Sequence, residues 1–259
     1  YVMDADGSNQ TRLTRNNETD SATSWSPDGS QIVFSSTRDG GIPNLFKANI
    51  NRPPGEEEPL FKSDHPQKPL SWSPDGRYIL YEDQDPDTGP DLWFLPSSGA
   101  EKPIEFLRTR DNESQAQFSP DGRWITYVSN SSGRQEVYVQ KFELPSTGNK
   151  SQVVSMRGGQ QPRWSEDGKE IFFLSQSGIE ELVSVSVEAK APDLFRIGAP
   201  RSLLSQYDIL TGNQRNSYDV TKDGRFLLNI IPRPTGLGPP ITVIVNWTSL
   251  LKESEPPSN

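Results

Sequence analysis

Trp25-Ser26-Pro27-Asp28-Gly29-Ser30-Gln31-Ile32-Val33-Phe34 reads as two short strands joined by a tight turn. Pro presets φ near about −65° at the first corner, Asp tolerates the second, and Gly takes the left-handed position that follows a type I turn. The Trp-bearing strand enters the turn, and a β-branched and aromatic strand leaves it. Ile32 and Phe34 are two apart, so they share one sheet face.

The stretch recurs. Asp-Gly stands at Asp28-Gly29, Asp75-Gly76, Asp121-Gly122, Asp167-Gly168 and Asp223-Gly224, at spacings of 47, 46, 46 and 56 residues. Three residues before each Asp are Trp25, Trp72, Phe118, Trp164 and Val220. Four after are Ile32, Ile79, Ile125, Ile171 and Leu227, and six after are Phe34, Tyr81, Tyr127, Phe173 and Asn229. A single Asp-Gly carries no information, but five copies with these columns define a repeat. A third strand is predicted in each copy, at Asn44 to Ala48, Asp91 to Leu95, Glu136 to Gln140, Glu181 to Val185 and Ile241 to Trp247. A fourth is predicted at Glu58 to Lys62, Ile104 to Leu107, Gln152 to Ser155 and Arg201 to Leu204, and Lys190 to Gly212 absorbs the longer last step. Four short antiparallel strands in about 46 residues is the format of a β-propeller blade.

The expected fold is therefore all-β. Five blades are predicted over residues 15–62, 63–107, 108–155, 156–204 and 205–251, with the Trp column and the two columns after the turn filling the seams between them. Residues 1–14 read as the last two strands of a preceding blade, with ring-closing strands as the alternative, and on the first reading the chain is expected to be a piece of a longer propeller protein. Residues 252–259 read as a disordered tail.

Composition agrees. The chain has 259 residues, 20 Gly, 23 Pro and 31% hydrophobic residues, which suits many turns and short strands more than long helices. The run Ile241 to Val245 is far short of the roughly 20 apolar residues of a membrane helix. With no Cys there is no disulfide framework or thiolate metal site. A net charge of −9 disfavours nucleic acid as a partner.

Longer stretches carry a family resemblance. Tyr1-Val-Met-Asp-Ala-Asp-Gly-Ser-Asn-Gln-Thr-Arg-Leu-Thr14 resembles the third-strand, turn and fourth-strand segment of TolB-type propellers, which are related to WD-repeat blades. Phe118-Ser-Pro-Asp-Gly-Arg-Trp-Ile-Thr-Tyr-Val-Ser-Asn130, Glu136-Val-Tyr-Val-Gln140, Gly158-Gly-Gln-Gln-Pro-Arg-Trp164, Asp167-Gly-Lys-Glu-Ile-Phe-Phe-Leu174 and Ile241-Thr-Val-Ile-Val-Asn-Trp-Thr248 are similar to one subgroup. That subgroup is the C-terminal propeller of acidobacterial membrane-anchored Ser/Thr protein kinases and their kinase-free relatives. The resemblance implies a propeller outside the cytoplasm and, in some relatives, a kinase domain and membrane helix upstream. No kinase residue maps onto this sequence. Val220 and Asn229 depart from the pattern, so the last blade is expected to pack less well or against something different, and the acidic loop Pro53 to Glu58 has no obvious family counterpart.

Catalytic patterns are weak. His65 is the single histidine and no Gly-x-Ser-x-Gly is present, which argues against a nucleophilic triad. In Ser63-Asp64-His65-Pro66 the histidine reads as a locally hydrogen-bonded turn residue, with a ligand-binding or pH-sensing role as the alternative. Asp83-Gln84-Asp85-Pro86-Asp87 alternates carboxylates as calcium loops do, but Thr88 and Phe94 stand where an EF-hand needs Gly and Glu. Asp4 and Asp6 read as turn caps. Gly158-Gly159 reads as a flexible passage between blades, since no phosphate-loop Lys follows. The Trp column reads as core, a sugar-stacking platform being the minority alternative. Sequons at Asn17, Asn112, Asn130 and Asn246 are set aside on the bacterial resemblance.

Binding is then expected where loops converge at one mouth of the propeller. The candidate residues are Arg38, Asp39, Asp64, His65, Asp87, Asp111, Glu113, Arg134, Gln160, Gln161 and Arg215. No cofactor or metal is expected. The anticipated partner is a protein, peptide or envelope ligand, and the activity expected is non-catalytic recognition. A propeller domain of a hydrolase, peptidase or lyase is the alternative.

Overall fold

The computed structural model describes residues 1–4, 6–144, 150–176, 181–191, 194–204 and 217–229, and all eighteen regular elements among them are β-strands. The first sheet contains β1 (Asp20–Trp25), β2 (Gln31–Ser36), β3 (Asn44–Asn49) and β4 (Glu58–Phe61). The second contains β5 (Gln67–Trp72), β6 (Tyr78–Asp85), β7 (Gly89–Pro96) and β8 (Ile104–Leu107). The third contains β9 (Glu113–Phe118), β10 (Trp124–Ser129), β11 (Glu136–Lys141) and β12 (Gln152–Val153). The fourth contains β13 (Gly159–Trp164), β14 (Glu170–Ser175), β15 (Glu181–Ala191) and β16 (Leu194–Leu204). A two-stranded sheet pairs β17 (Tyr218–Val220) with β18 (Phe226–Leu228). Each four-stranded sheet is an antiparallel meander in chain order. The first strands of successive sheets lie side by side, β1 by β5, β5 by β9, β9 by β13 and β13 by β17. That is the packing of propeller blades about a common centre.

The turns explain why the repeat folds locally. The Gly29 N–H donates to the Ser26 carbonyl at 2.9 Å, and Gly29 has φ +69°. Asp28 Oδ1 accepts from the Ser30 N–H and the Ser26 hydroxyl. That hydroxyl in turn accepts from the Gln31 N–H across the turn. Ser73, Ser119, Ser165 and Thr221 do the same in the other copies.

The columns after the turn sit at the seams. Ile79 and Tyr81 pack with Val33, Leu45 and Leu60 of the preceding sheet. Ile125 and Tyr127 pack with Leu80, Leu92 and Phe94. Ile171 and Phe173 pack with Val128, Val137 and Val139. The sheets thus stabilise one another in series, each apolar face meeting its neighbour. The long β15–β16 hairpin takes up the first part of Lys190 to Gly212 and brings Phe195 to a centroid distance of 4.6 Å from Trp124.

Three expectations are corrected. Trp164 and Phe118 are buried and Trp72 is half-buried, but Trp25 is 47% exposed. The face that carries Trp25 is covered by Val2 and Leu13, which pack on Ile32, Phe34 and Phe46 and leave the indole open. The described residues of the last repeat, 217–229, are not poorly packed. The turn there closes from the Thr221 N–H to the Arg225 carbonyl, one residue sooner than Ser26 to Gln31. The partner of Val220 is therefore Phe226, as Ile32 is the partner of Trp25. Phe226 and Leu228 are buried against Phe172 and Leu174, while Leu227 is exposed. Gly158-Gly159 is not a loose passage either. A Cβ on Gly159 would lie 2.8 Å from Ser155 Cβ, and Gly158, at φ +87°, donates its N–H to Glu136 Oε2 at 3.0 Å.

Residues 1–14 form an isolated antiparallel bridge between Val2 and Thr11. Asp6 caps the intervening turn by accepting from the Ser8 N–H, while Asp4 accepts from the side chains of Ser8 and Asn9. The predicted strand Ile241 to Trp247, the loop Gly212 to Arg215, Asn246 and the tail 252–259 lie outside the described residues.

Candidate functional site

A polar layer caps the seams at the end of the sheets opposite the Asp-Gly turns. It arises from register. Asp20 pairs with Ser36 and Ser36 with Asn44; Gln67 with Asp83 and Asp83 with Asp91. Glu113 pairs with Ser129 and Ser129 with Glu136; Gly159 with Ser175 and Ser175 with Glu181. The first three sheets thus place polar or acidic side chains across three strands at the same height, and the fourth does so on two, with Gly159 on its first strand. Most of these residues are buried, including Asn44, Asp83, Asp91, Glu113 and Glu136. Burying them costs free energy unless they are bonded, so each is tied to a crossover loop. Asn44 Oδ1 accepts from the Ser63 N–H at 2.9 Å. Asp91 accepts from the Thr88 hydroxyl and the Thr109 N–H. Glu136 Oε2 accepts from the Ser155 hydroxyl and the Gly158 N–H.

Three arginines project from this layer, held by its carboxylates. Arg38 donates to Asp20 at 3.1 Å and to Glu57 at 2.7 Å, and its guanidinium lies 4.7 Å from the Phe46 ring centroid. Arg108 donates to Asp85 at 2.6 Å. Arg134 donates from Nε to Glu136 Oε1 and from Nη2 to the Met156 carbonyl. Arg134 and Arg108 keep exposed side chains while Arg38 is largely enclosed.

The other sequence-predicted residues divide into outward and inward groups. Asp39 is exposed and ion-paired with Lys62 Nζ at 2.8 Å, and Asp64 and Asp87 are exposed. Asp111 is half-buried, its N–H donating to Thr109 Oγ1. His65 is half-buried in a local turn, its N–H donating to Ser63 Oγ and its carbonyl accepting from that hydroxyl, while its ring reaches farther, with Nδ1 2.8 Å from Asp83 Oδ1. Gln160 is half-buried. Glu113 and Gln161 are buried and face protein. Gln161 sits at a β-bulge with φ +55°, its N–H donating to Gln115 Oε1. Its side chain clasps Ser217, and Tyr218 Oη donates to its carbonyl. Arg215 lies outside the described residues.

The electrostatics centre on the seam between the second and third sheets. Thr109 ties the two acids together, its N–H to Asp91 and its hydroxyl to Glu113 Oε1 at 2.8 Å. Asp91 Oδ1, Glu113 Oε2 and Glu82 Oε2 accept no hydrogen bond from the described residues. Burial raises Glu113 to about 7, with Asp91 and Asp111 adding repulsion. Burial likewise raises Asp91 and Glu82 above the usual carboxylate range. No group of three or more His, Cys, Asp or Glu side chains among the described residues is arranged to hold a metal ion. Asp83, Asp85 and Asp87 diverge, the first to His65, the second to Arg108 and the third to solvent. Sequence reading missed Asp91, Glu136 and Arg108; for the two acids the signal was the first residue of each predicted third strand, Asn44, Asp91, Glu136 and Glu181.

Serial four-stranded meanders with adjacent first strands define a β-propeller architecture. Comparison with known proteins finds the same fold elsewhere: a family model described as the TolB beta propeller domain matches residues 1–89, about a third of the chain. TolB from Acinetobacter baumannii superposes with a TM-score of 0.59 at 17% identity, covering 79% of this chain and 48% of that one. A puromycin-hydrolyzing peptidase from Mycobacterium tuberculosis gives 0.56 at 16% identity, covering 83% and 35%. An oligogalacturonate lyase from Vibrio parahaemolyticus gives 0.58 at 16% identity, covering 83% and 63%. This chain thus spans about half the length of that TolB and about a third of that peptidase.

Proposed function

We propose that this chain is a non-catalytic recognition module that binds a protein, peptide or envelope ligand through the mouth-end polar layer. The observation that carries the reading is the set of pinned arginines, Arg38, Arg108 and Arg134. Each is fixed by carboxylates of the blade rather than free to wander. Such preorganised charge lowers the ordering cost of binding. The TolB-like propeller match supports a binding role, and by that likeness we infer an extracytoplasmic setting, with service as the sensor arm of a membrane-anchored kinase as the specific form. The peptidase and lyase neighbours support a second reading, a propeller that accompanies a hydrolase or lyase activity.

Cross-linked pull-down from envelope extract tests the first reading. Wild type should retain partners whose cross-links fall in the mouth loops, and Arg108→Glu/Arg134→Glu should lose them. Identical partner profiles for the two proteins would refute the mouth as the site.

A further inference from the structure

At the opposite end, the turns of the first and second sheets enclose a cleft of about 400 Å³. Pro27, Asp28 and Gln31 line one side, and Trp72, Pro74 and Asp75 the other. Trp72 is half-buried, with its Nε1 donating to the Gly76 carbonyl, so its position is fixed. The cleft has apolar walls and an acidic rim.

The acidic rim is unlike the other turns in one respect. Asp75, Asp121, Asp167 and Asp223 each meet a cation two residues on: Arg77 at 2.6 Å, Arg123 at 2.6 Å, Lys169 at 3.3 Å and Arg225 at 2.7 Å. At Asp28 that position is Ser30, whose hydroxyl donates to Oδ2 at 2.7 Å. Among the described residues Asp28 has hydroxyl and amide donors but no cationic partner. It is, among the described residues, the turn carboxylate left without a cation, and it lines the cleft together with Trp72. Gln31 also lines the cleft.

We propose that this cleft takes an arginine side chain from a partner peptide or protein. The guanidinium would replace the absent internal cation at Asp28, while its planar face and aliphatic stem lie on Trp72 and the two prolines. Arginine suits the site because its planar cation stacks on aromatics and bonds carboxylates at once. In three of the four compensated turns the fold itself uses arginine for the same carboxylate. The site is independent of the mouth reading and would stand if that reading failed.

The test uses an acetylated, amidated glycine peptide with one central arginine, and a second with citrulline, its neutral isostere. Binding is followed on the Trp72 indole N–H resonance, assigned with Trp72→Phe. The arginine peptide should shift this resonance saturably, and citrulline should weaken binding about tenfold. Asp28→Asn should weaken it about fivefold or more, and Ser30→Arg, which supplies the cation internally and keeps the turn intact, should abolish it. Glu105→Gln, at an exposed carboxylate elsewhere, should leave binding unchanged. The proposal is overturned if Trp72 shows no saturable shift, if Ser30→Arg binds as wild type does, or if Glu105→Gln weakens binding as much as Asp28→Asn.

Discussion

The two ends of the sheets use the same acidic residues in opposite ways. At the turn end, Asp28 is lowered to about 2, chiefly by the Ser26 hydroxyl bond. Asp75 and Asp121 are raised by partial burial, but the hydroxyls of Ser73 and Ser119 and bonds from Arg77 and Arg123 outweigh it and leave both lowered. At the mouth end, burial prevails at Asp91 and Glu113, which are raised, whereas at Asp20 burial is outweighed by bonds from Ser36, Thr14 and Asn16. The difference lies in where the partners come from. A turn aspartate finds its donors within a few residues, so it is satisfied wherever the motif folds. A mouth carboxylate is buried and draws on loops as well as near neighbours, Glu136 on Ser155 and Gly158 about twenty residues on, and it carries a larger penalty where, as at Asp91 Oδ1 and Glu113 Oε2, an oxygen goes unbonded by the described residues.

The largest expected effect breaks the mouth end directly. Glu136→Ala removes the acceptor for the Ser155 hydroxyl, the Gly158 N–H and Arg134, and should destabilise by about 3–5 kcal/mol in denaturant unfolding. A cost near that of an exposed carboxylate would erase the contrast between the two ends. The next effect is pH dependence. Because the folded-state value of Glu113 lies above that of the unfolded chain, its contribution is complete below the ordinary glutamate range and is lost as pH rises through about 7. Stability should fall by about 2–3 kcal/mol between pH 5 and 8, and Glu113→Gln should flatten that fall. The turn aspartates have the opposite sign, so their contribution should hold above pH 5 and fade only in acid.

A smaller cost is expected at the turn end. Ser119→Ala loses bonds to Asp121 and to the Trp124 N–H, worth about 1–2 kcal/mol by chemical denaturation. Smallest is Ser30→Arg, whose new surface ion pair should change stability by less than about 0.5 kcal/mol. A larger change would mean that Asp28 is not equivalent to the other turn aspartates.

The same distinction governs what the sequence discloses. The turn end is legible because Pro, Asp and Gly act on their own backbone, and five copies make the period plain. The inward direction of Ile32, Ile79, Ile125 and Ile171 follows from alternation alone. The exposure of Trp25 does not, because it depends on what covers the face of the first sheet. The mouth layer is only half legible. Its residues recur at fixed positions, yet which of them bond one another depends on loops such as residues 107–113, whose paths no local rule sets. Glu113 and Gln161 belong to a loop cluster by position, but the bulges and register turn them inward.

The shortened turn at Thr221–Arg225 has a consequence for anyone averaging these repeats into a consensus blade. Alignment on Asp-Gly superposes exposed Leu227 on a core column and mixes solvent positions with seam positions. Alignment on the cross-strand pair, Val220 with Phe226 and Trp25 with Ile32, keeps every seam residue in its column. The transferable unit of this blade is therefore the pair that spans two strands, and the turn that joins them is an exchangeable part.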